Sequence, residues 1–344
     1  MTRVVTFGEI MMRLSPPDHQ LFSQAKRFDV VYGGGESNVA VSLAHFGMDT
    51  TFVTRLPHNE LGASCRNCLR QYGVDTGQIV WGGSRLGIYF LEHGAVHRGS
   101  KVIYDRSGSA MAEIKPGMVD WEKAFEGANW FHWTGITPAI SKGAADVCKE
   151  AVDVARRLGL TVSCDLNYRA KLWKWGKNPC DVMPELIAHT DVIVCNEEDA
   201  EKVFAISAPD TDVTCGEIDA EKYRSVCEAL AERFPNLEVI AITLRGSRSA
   251  SHNTWSAVIW HEGDFAIGPE YDIVPIVDRV GGGDSFVAGL IYGLHQYPQQ
   301  STKALEFAVA ASALKHSIFG DFNLVSVEDV KKLAGGDQSG RVSR

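Results

Sequence analysis

The sequence predicts an α/β fold: a mostly parallel sheet covered by helices on both faces. Three observations carry that expectation. Short apolar runs alternate with helical patterns beyond residue 110. Two glycine triplets, Gly33–Gly35 and Gly281–Gly283, each open a helix. A hairpin pattern interrupts the alternation early, as a small second sheet would.

Taken in order, Val4–Glu9 reads as a buried strand ending near Gly8. A polar, proline-containing stretch follows to about Arg27, then a short strand at Phe28–Tyr32. A helix opens at Gly33–Asn38, with Ser37 as its N-cap and Val39, Leu43 and Phe46 as its apolar stripe. Thr51–Leu56 reads as a strand and Asn59–Tyr72 as a helix. Residues 85–93 and 96–106 read as paired strands turning at Gly94-Ala95.

Trp130–Trp133, Leu160–Asp165, Asp191–Cys195 and Val239–Thr243 are short apolar strands. Helical patterns occupy Lys142–Leu158, Glu197–Val203 and Ala220–Phe234. A β-rich stretch spans Ala250–Ile267, and two helices follow, one at Asp284 and one over Thr302–Ile318. The tail from Gly335 reads as flexible. In such a fold ligands bind beyond the C-terminal strand ends. Asn167, Arg169, Asn196 and the Thr243 loop all follow predicted strands and are expected around one cleft.

Composition narrows the function. Acidic residues outnumber basic ones, 43 to 34, and the net charge of −9 argues against a nucleic-acid surface. No apolar run approaches the roughly 20 residues of a membrane span. Glu9 comes too early for a signal-peptide core, so a cytoplasmic protein is expected. The eight cysteines are scattered and read as reduced thiols; Cys65 and Cys68 form one CxxC without a second ligand pair.

The most informative stretch is Val277–Gly289. A glycine run at a helix start leaves several main-chain N–H groups unpaired, with no side chains in the way. The helix dipole adds partial positive charge, so the position suits a phosphate. Asp284 beside it fits a base that takes a proton from an attacking hydroxyl. It also fits an ordinary helix cap, and on this block alone both readings stand. Gly289 and Gly293 lie on the same helix four apart and let a neighbour pack close.

Other motifs are missing. There is no Walker A, no GxGxxG, no HExxH and no paired Cys/His set. Gly283-Asp284-Ser285 resembles the block of certain esterases, with Ser285 as nucleophile, yet it sits near the end of the chain and no histidine follows His316.

A Gly-Gly-x-x-x-Asn helix start near residue 35 and a Gly-Gly-Gly-Asp helix start near 283, in an α/β chain with an early hairpin, resemble the ribokinase-like (PfkB) carbohydrate kinases. The likeness covers about residues 3–334 and implies a single domain: a three-layer sandwich plus a small β-sheet lid from segments of about 11–32 and 85–106. It implies ATP and Mg²⁺, with Asp284 as catalytic base and Gly281, Gly282 and Gly283 as the anion hole. Gly34, Gly35 and Asn38 would floor the sugar site. Asn196, Thr243, Arg245, Gly246, Ser247, Ala313 and His316 would meet the nucleotide, with Thr243–Gly246 as a turn beside ATP. Asp199, at the end of an Asn-x-x-Glu-like block, and Asp278 would serve metal ions, Asp278 near a monovalent-cation site. Arg279, Arg245, Asp199 and Pro57 depart from the family's usual residues.

Within that family the chain most resembles kinases of 2-keto-3-deoxygluconate. The matching stretches are Gly8–Leu14, Tyr32–Glu36, Gly87–Glu92, Val102–Arg106 and Asp165–Arg169. The implied substrate is a sugar acid. Arg106 and Arg169 can grip its carboxylate with a planar fork, Tyr89 and Tyr104 offer hydroxyls, and Asn167 can hydrogen-bond both ways. The alternative for each arginine is an ordinary ion pair. A neutral-hexose kinase such as a fructokinase, or a sugar-sensing protein without turnover, are the competing functions. The exposed face of the lid sheet is expected to pair in a homo-oligomer.

Overall fold

The computed structural model of the chain describes residues 2–196, 198–207 and 220–337. In chain order the first elements are β1 (Arg3–Phe7), β2 (Met11–Ser15), β3 (Asp29–Gly33), α1 (Gly35–His45), β4 (Asp49–Val53), β5 (Arg55–Leu56), α2 (Glu60–Gln71), β6 (Val80–Trp81), β7 (Ile88–Glu92) and β8 (Lys101–Asp105). Then come α3 (Trp121–Ala124), β9 (Trp130–Thr134), α4 (Ile136–Ile140), α5 (Lys142–Arg157), β10 (Thr161–Asp165), α6 (Pro179–Ile187), β11 (Val192–Asn196), α7 (Asp199–Phe204) and α8 (Tyr223–Arg233). The last are β12 (Val239–Ser249), β13 (His252–His261), β14 (Asp264–Ile267), β15 (Tyr271–Ile273), α9 (Gly282–Gln296), α10 (Ser301–Lys315) and α11 (Val327–Ala334).

The main sheet runs β14-β13-β12-β11-β10-β9-β1-β4, with β15 against β13. Every pairing from β4 to β12 is parallel, and β13 turns the edge antiparallel. Strands buried on both faces need apolar residues at every position. β11 shows why: Ile193 and Cys195 enter one core, Val192 and Val194 the other. The first core is closed by residues of α3, α5, α6, α7 and α8, such as Trp121, Val147, Met183, Val203 and Val226. The second is closed by α1, α9 and α10 through Val39, Leu43, Phe286, Leu290 and Ala308. This is the expected three-layer sandwich.

Where α9 crosses α10 the two helices nearly touch. A Cβ at Gly289 would lie 2.7 Å from Ala308 Cα, and one at Gly293 2.6 Å from Ala304 Cα. Glycine opposite alanine therefore sets the spacing of this layer, as the four-residue interval predicted.

The small sheet has the order β3-β2-β7-β8. β7 and β8 pair antiparallel from Ile88 opposite Asp105 to Glu92 opposite Lys101, so the hairpin forms with a longer connection than Gly94-Ala95. Val30 and Ile103 are exposed on its outer face, while Val102 and Tyr104, on the opposite face, are exposed toward the cleft.

Several local expectations are corrected. The stretch before Arg27 holds a buried strand, β2, whose polar Arg13 and Ser15 hid its character. The first glycine helix is capped by Gly34, and Ser37 lies inside it with its hydroxyl donating to the Gly34 carbonyl. Thr51–Leu56 divides into β4 and β5. The Thr243–Gly246 turn does not form: β12 runs on to Ser249 because β13 pairs with it throughout. Helix α11 precedes the expected tail, of which residues 338–344 lie outside the described residues, as does Glu197. Among the described residues no helix is long and apolar enough to cross a membrane.

Candidate active site

The parallel strands end at a cleft of about 450 Å³ between the main and small sheets. Both glycine helix starts open into it. The positive φ of +82° at Gly281 turns the chain into α9, and a Cβ there would strike the Asp321 carbonyl at 2.0 Å. Only glycine makes this turn without strain. At Gly283 an added Cβ would meet nothing within 4 Å. Among the described residues the amides of Gly281, Gly283 and Asp284 make no main-chain hydrogen bond, whereas those of Gly282 and Ser285 are bonded to Arg279 and Gly281 carbonyls. A helix start with open N–H groups facing a cleft is an anion site.

Asp284, in the first turn of α9, is held by the first glycine helix: Asn38 Nδ2 donates to its Oδ2 at 2.6 Å. A Cβ at Gly35 would lie 3.6 Å from Asp284 Oδ1, so glycine leaves that oxygen approachable. Burial at the cleft floor pushes the Asp284 carboxyl up to about 6, against the Asn38 hydrogen bond that lowers it. The helix-cap alternative is not realised by a side-chain bond, since α9 has no side-chain cap.

The arginines differ. Arg169 follows β10, is exposed at the cleft, and forms no ion pair among the described residues. Its nearest hydrogen bond is to the Tyr168 carbonyl. Arg106 is buried and paired with Glu9, which also accepts from Ser109. The ion-pair alternative thus holds for Arg106, although it still lines the cleft. Among the described residues its buried Nε has no hydrogen-bond partner. Tyr104 lies half exposed on the small sheet, while the Tyr89 hydroxyl is already engaged, donating to Asp321. Asn167, with a positive φ of 38°, bonds back to Asp165.

Asn196, Thr243 and Arg245 line the far part of the cleft. Gly246, Ser247, Ala313 and His316 do not. The first two are carried onward in β12. His316 packs behind Gly282 and against Trp255, its ring bonded to the Ser312 carbonyl, and burial lowers its imidazole to about 4. Arg279 also lines the cleft, and its Nη2 is turned to the β12–β13 hairpin, donating to Ala250 O at 2.8 Å.

Asp199 lines the cleft, but both its oxygens accept main-chain N–H groups, from Tyr168 at 3.1 Å and Asn196 at 3.0 Å. Among the described residues no group of three or more His, Cys, Asp or Glu side chains is arranged to hold a metal. Mg²⁺ arriving with a nucleotide would keep most of its ligands from phosphate oxygens and water, and Asp165 and Asp199, which line the cleft, are the carboxylates that could add to them through their remaining lone pairs. Asp278 differs: it is committed to a buried ion pair with Arg13 and lies away from the cleft. Its Oδ2 accepts from Arg13 at 2.6 Å and from Gly320 N, and its Oδ1 from Val280 N.

The sequence reading missed several groups that hold the site. Glu36 is buried under Gly8 and accepts from both Thr134 and Thr137 hydroxyls, at 2.7 and 2.6 Å, tying α1 to β9 and α4. Burial pushes its carboxyl up to about 7. Arg13 and Lys315 are buried cations, and Asp321 is the carboxylate between Arg13 and Tyr89. The one available signal was a lysine ending a helix apolar on nearly every side.

The family model described as pfkB family carbohydrate kinase matches residues 1–321. A 2-dehydro-3-deoxygalactonokinase of Haloferax volcanii is 32% identical over 336 residues, 97% of each chain. A 2-dehydro-3-deoxygluconokinase of Thermoproteus tenax is 27% identical, covering 93% of this chain and 90% of its own. The crystal structure of a 2-dehydro-3-deoxygluconokinase from Thermotoga maritima is 48% identical, with a TM-score of 0.92, covering 98% of this chain and all of that one.

Proposed function

Because the chain belongs to the pfkB family of carbohydrate kinases, we propose that it transfers the γ-phosphoryl group of ATP to the terminal hydroxyl of 2-keto-3-deoxy-D-gluconate, giving the 6-phosphate. The observation that carries this reading is the pairing of Asp284 with the open N–H groups of Gly281 and Gly283, in one cleft with Arg169. Names of relatives support the substrate class: both gluconate- and galactonate-derived keto-deoxy acids appear among them.

In the proposed reaction the sugar acid lies between the small sheet and α1, its carboxylate toward Arg169 and the cleft-lining Arg106. Its terminal hydroxyl meets Asp284 Oδ1, while Asn38 holds Oδ2. Asp284 accepts the proton as the hydroxyl oxygen attacks phosphorus. The open amides at the start of α9 receive the charge that builds on the transferring phosphoryl oxygens. ATP extends from there over Asn196, Thr243 and Arg245. Mg²⁺, when bound with the nucleotide, neutralises phosphate charge. The whole of residues 1–334 acts as one domain, with segments 11–32 and 85–106 closing over the sugar and keeping water from ATP. The exposed apolar outer face of the small sheet, with Val30 and Ile103, is the surface through which two copies would associate. The reaction is placed in the cytoplasm, where ATP is available.

A substrate panel with ADP readout tests the proposal. Keto-deoxygluconate and its galactonate epimer should turn over far better than fructose or ribose. Preference for a neutral hexose would replace the sugar-acid assignment with a fructokinase-like one, and ADP release indifferent to every sugar would remove the kinase reading.

A further inference from the structure

Behind the glycine triplet lie two loops, residues 277–281 and 316–321, and what joins them is a lysine. Lys315 ends α10 and is fully buried. Among the described residues it forms no ion pair; its Nζ donates to two main-chain carbonyls, Ile318 at 3.1 Å and Asp278 at 3.4 Å, one in each loop. Its stem supports the turn itself, since a Cβ at Gly281 would lie 3.4 Å from Lys315 Cε.

A compact monovalent cation ringed by carbonyl oxygens and close to carboxylates is how a protein holds potassium. Here the cation is covalently attached. The neighbouring charges complete the pattern. Arg13, also fully buried, donates to Asp278 at 2.6 Å and Asp321 at 2.8 Å, so two fixed cations face two carboxylates and the cluster is neutral. A free cation would add an uncompensated buried charge, which is costly, and would find the oxygens of Asp278 already engaged.

We propose that Lys315, assisted by Arg13, is a tethered internal cation that replaces a dissociable monovalent ion behind the phosphoryl-receiving helix start. It is a positioning residue: it orders the loop from Asp278 to Gly281 and through it the amides of α9, touching neither substrate. This rests on the kinase reading above and departs from the monovalent-cation dependence that the family resemblance implied.

The experiment compares KCl, NaCl and tetramethylammonium chloride at equal ionic strength. Wild-type turnover should agree within about twofold in all three. Lys315→Ala opens a carbonyl-lined hole of ion size. In tetramethylammonium its kcat should fall at least 100-fold with sugar KM little changed, and potassium or ammonium should restore at least tenfold. Lys315→Met, which fills the hole without charge, should be equally slow and not rescued.

A second readout needs no turnover: without substrates, potassium should raise the Tm of Lys315→Ala by several degrees relative to tetramethylammonium, and leave wild type unchanged. A wild-type enzyme more than tenfold dependent on potassium overturns the proposal, as does a Lys315→Ala whose Tm and rate ignore the cation. Should Lys315→Ala not fold, the wild-type salt series and Lys315→Met decide. If no sugar acid is turned over in any salt, the kinase reading fails while the melting shifts still test the tethered cation.

Discussion

Asn38 Nδ2 lies 2.6 Å from Asp284 Oδ2, joining two residues 246 positions apart in the chain. The contact locks the start of α1 to the start of α9. It orients the carboxylate, leaves Oδ1 toward the cleft, and places the helix-start amides beside it. Asp284→Asn removes the base while keeping the size of the side chain. We expect kcat to fall about 10²–10⁴-fold, the range of general-base removal. Sugar binding by calorimetry should change little, and near-normal turnover would remove the base assignment.

Arg169 makes no ion-pair contact among the described residues, although its charge acts on Asp165, Asp199 and Asp284, so its fork is available to a substrate. Losing one charge-assisted hydrogen-bonded pair is worth about 1.5–3 kcal/mol, roughly 10–100-fold. Arg169→Ala should lower kcat/KM for keto-deoxy sugar acids by that factor. Neutral hexoses should be nearly unaffected, and equal losses on both classes would show that Arg169 does not read the carboxylate.

The base must be ionised to accept a proton. Burial raises Asp284 to about 6, so kcat/KM should be full above that pH and decline tenfold per unit below it. His316 is lowered to about 4 by burial and does not contribute between pH 5 and 8. A pH–rate profile with its acid limb near 4 would contradict the buried position of the carboxylate.

Glu36 tests the scaffold in place of the chemistry. Its folded carboxyl is raised from 4.5 to about 7 by burial, so the folded state keeps a proton the unfolded chain has lost. The associated stability is complete below 4.5 and declines as pH rises to about 7, by on the order of 3–4 kcal/mol. Glu36→Gln keeps an acceptor for Thr134 and Thr137 without titrating. Urea denaturation should show a flatter stability-versus-pH curve over that window than wild type.

Gly289 and Gly293 predict a packing cost without a chemical one. Gly289→Ala places a methyl 2.7 Å from Ala308 Cα, which is backbone and must move. Forcing α9 from α10 should cost about 1–3 kcal/mol. The Tm should drop measurably, and an unchanged Tm would mean the layer is looser than described.

Much of the site could be read directly from residue order. Gly281–Asp284 states its chemistry locally, because open amides, dipole and carboxylate all follow from four successive residues at a helix start. The apolar strands of the sheet and the Gly289/Gly293 interval are equally local. Arg106 shows where such reading stops: its sequence environment matches a sugar-acid site, yet its guanidinium pairs with Glu9, 97 positions earlier. Thr243–Gly246 resembles a turn until β13 is seen to extend β12.

Sequence alone therefore determined the layered α/β architecture, the two glycine helix starts and the acid beside the second, since each depends on neighbours within a few residues. Tertiary structure alone decided which charges are buried against which: Arg13 with Asp278 and Asp321, Lys315 with the Asp278 and Ile318 carbonyls, Asn38 with Asp284. A buried charge is tolerated only where its partner is delivered by another element, and most of those partners lie hundreds of positions away, beyond the reach of any local spacing rule.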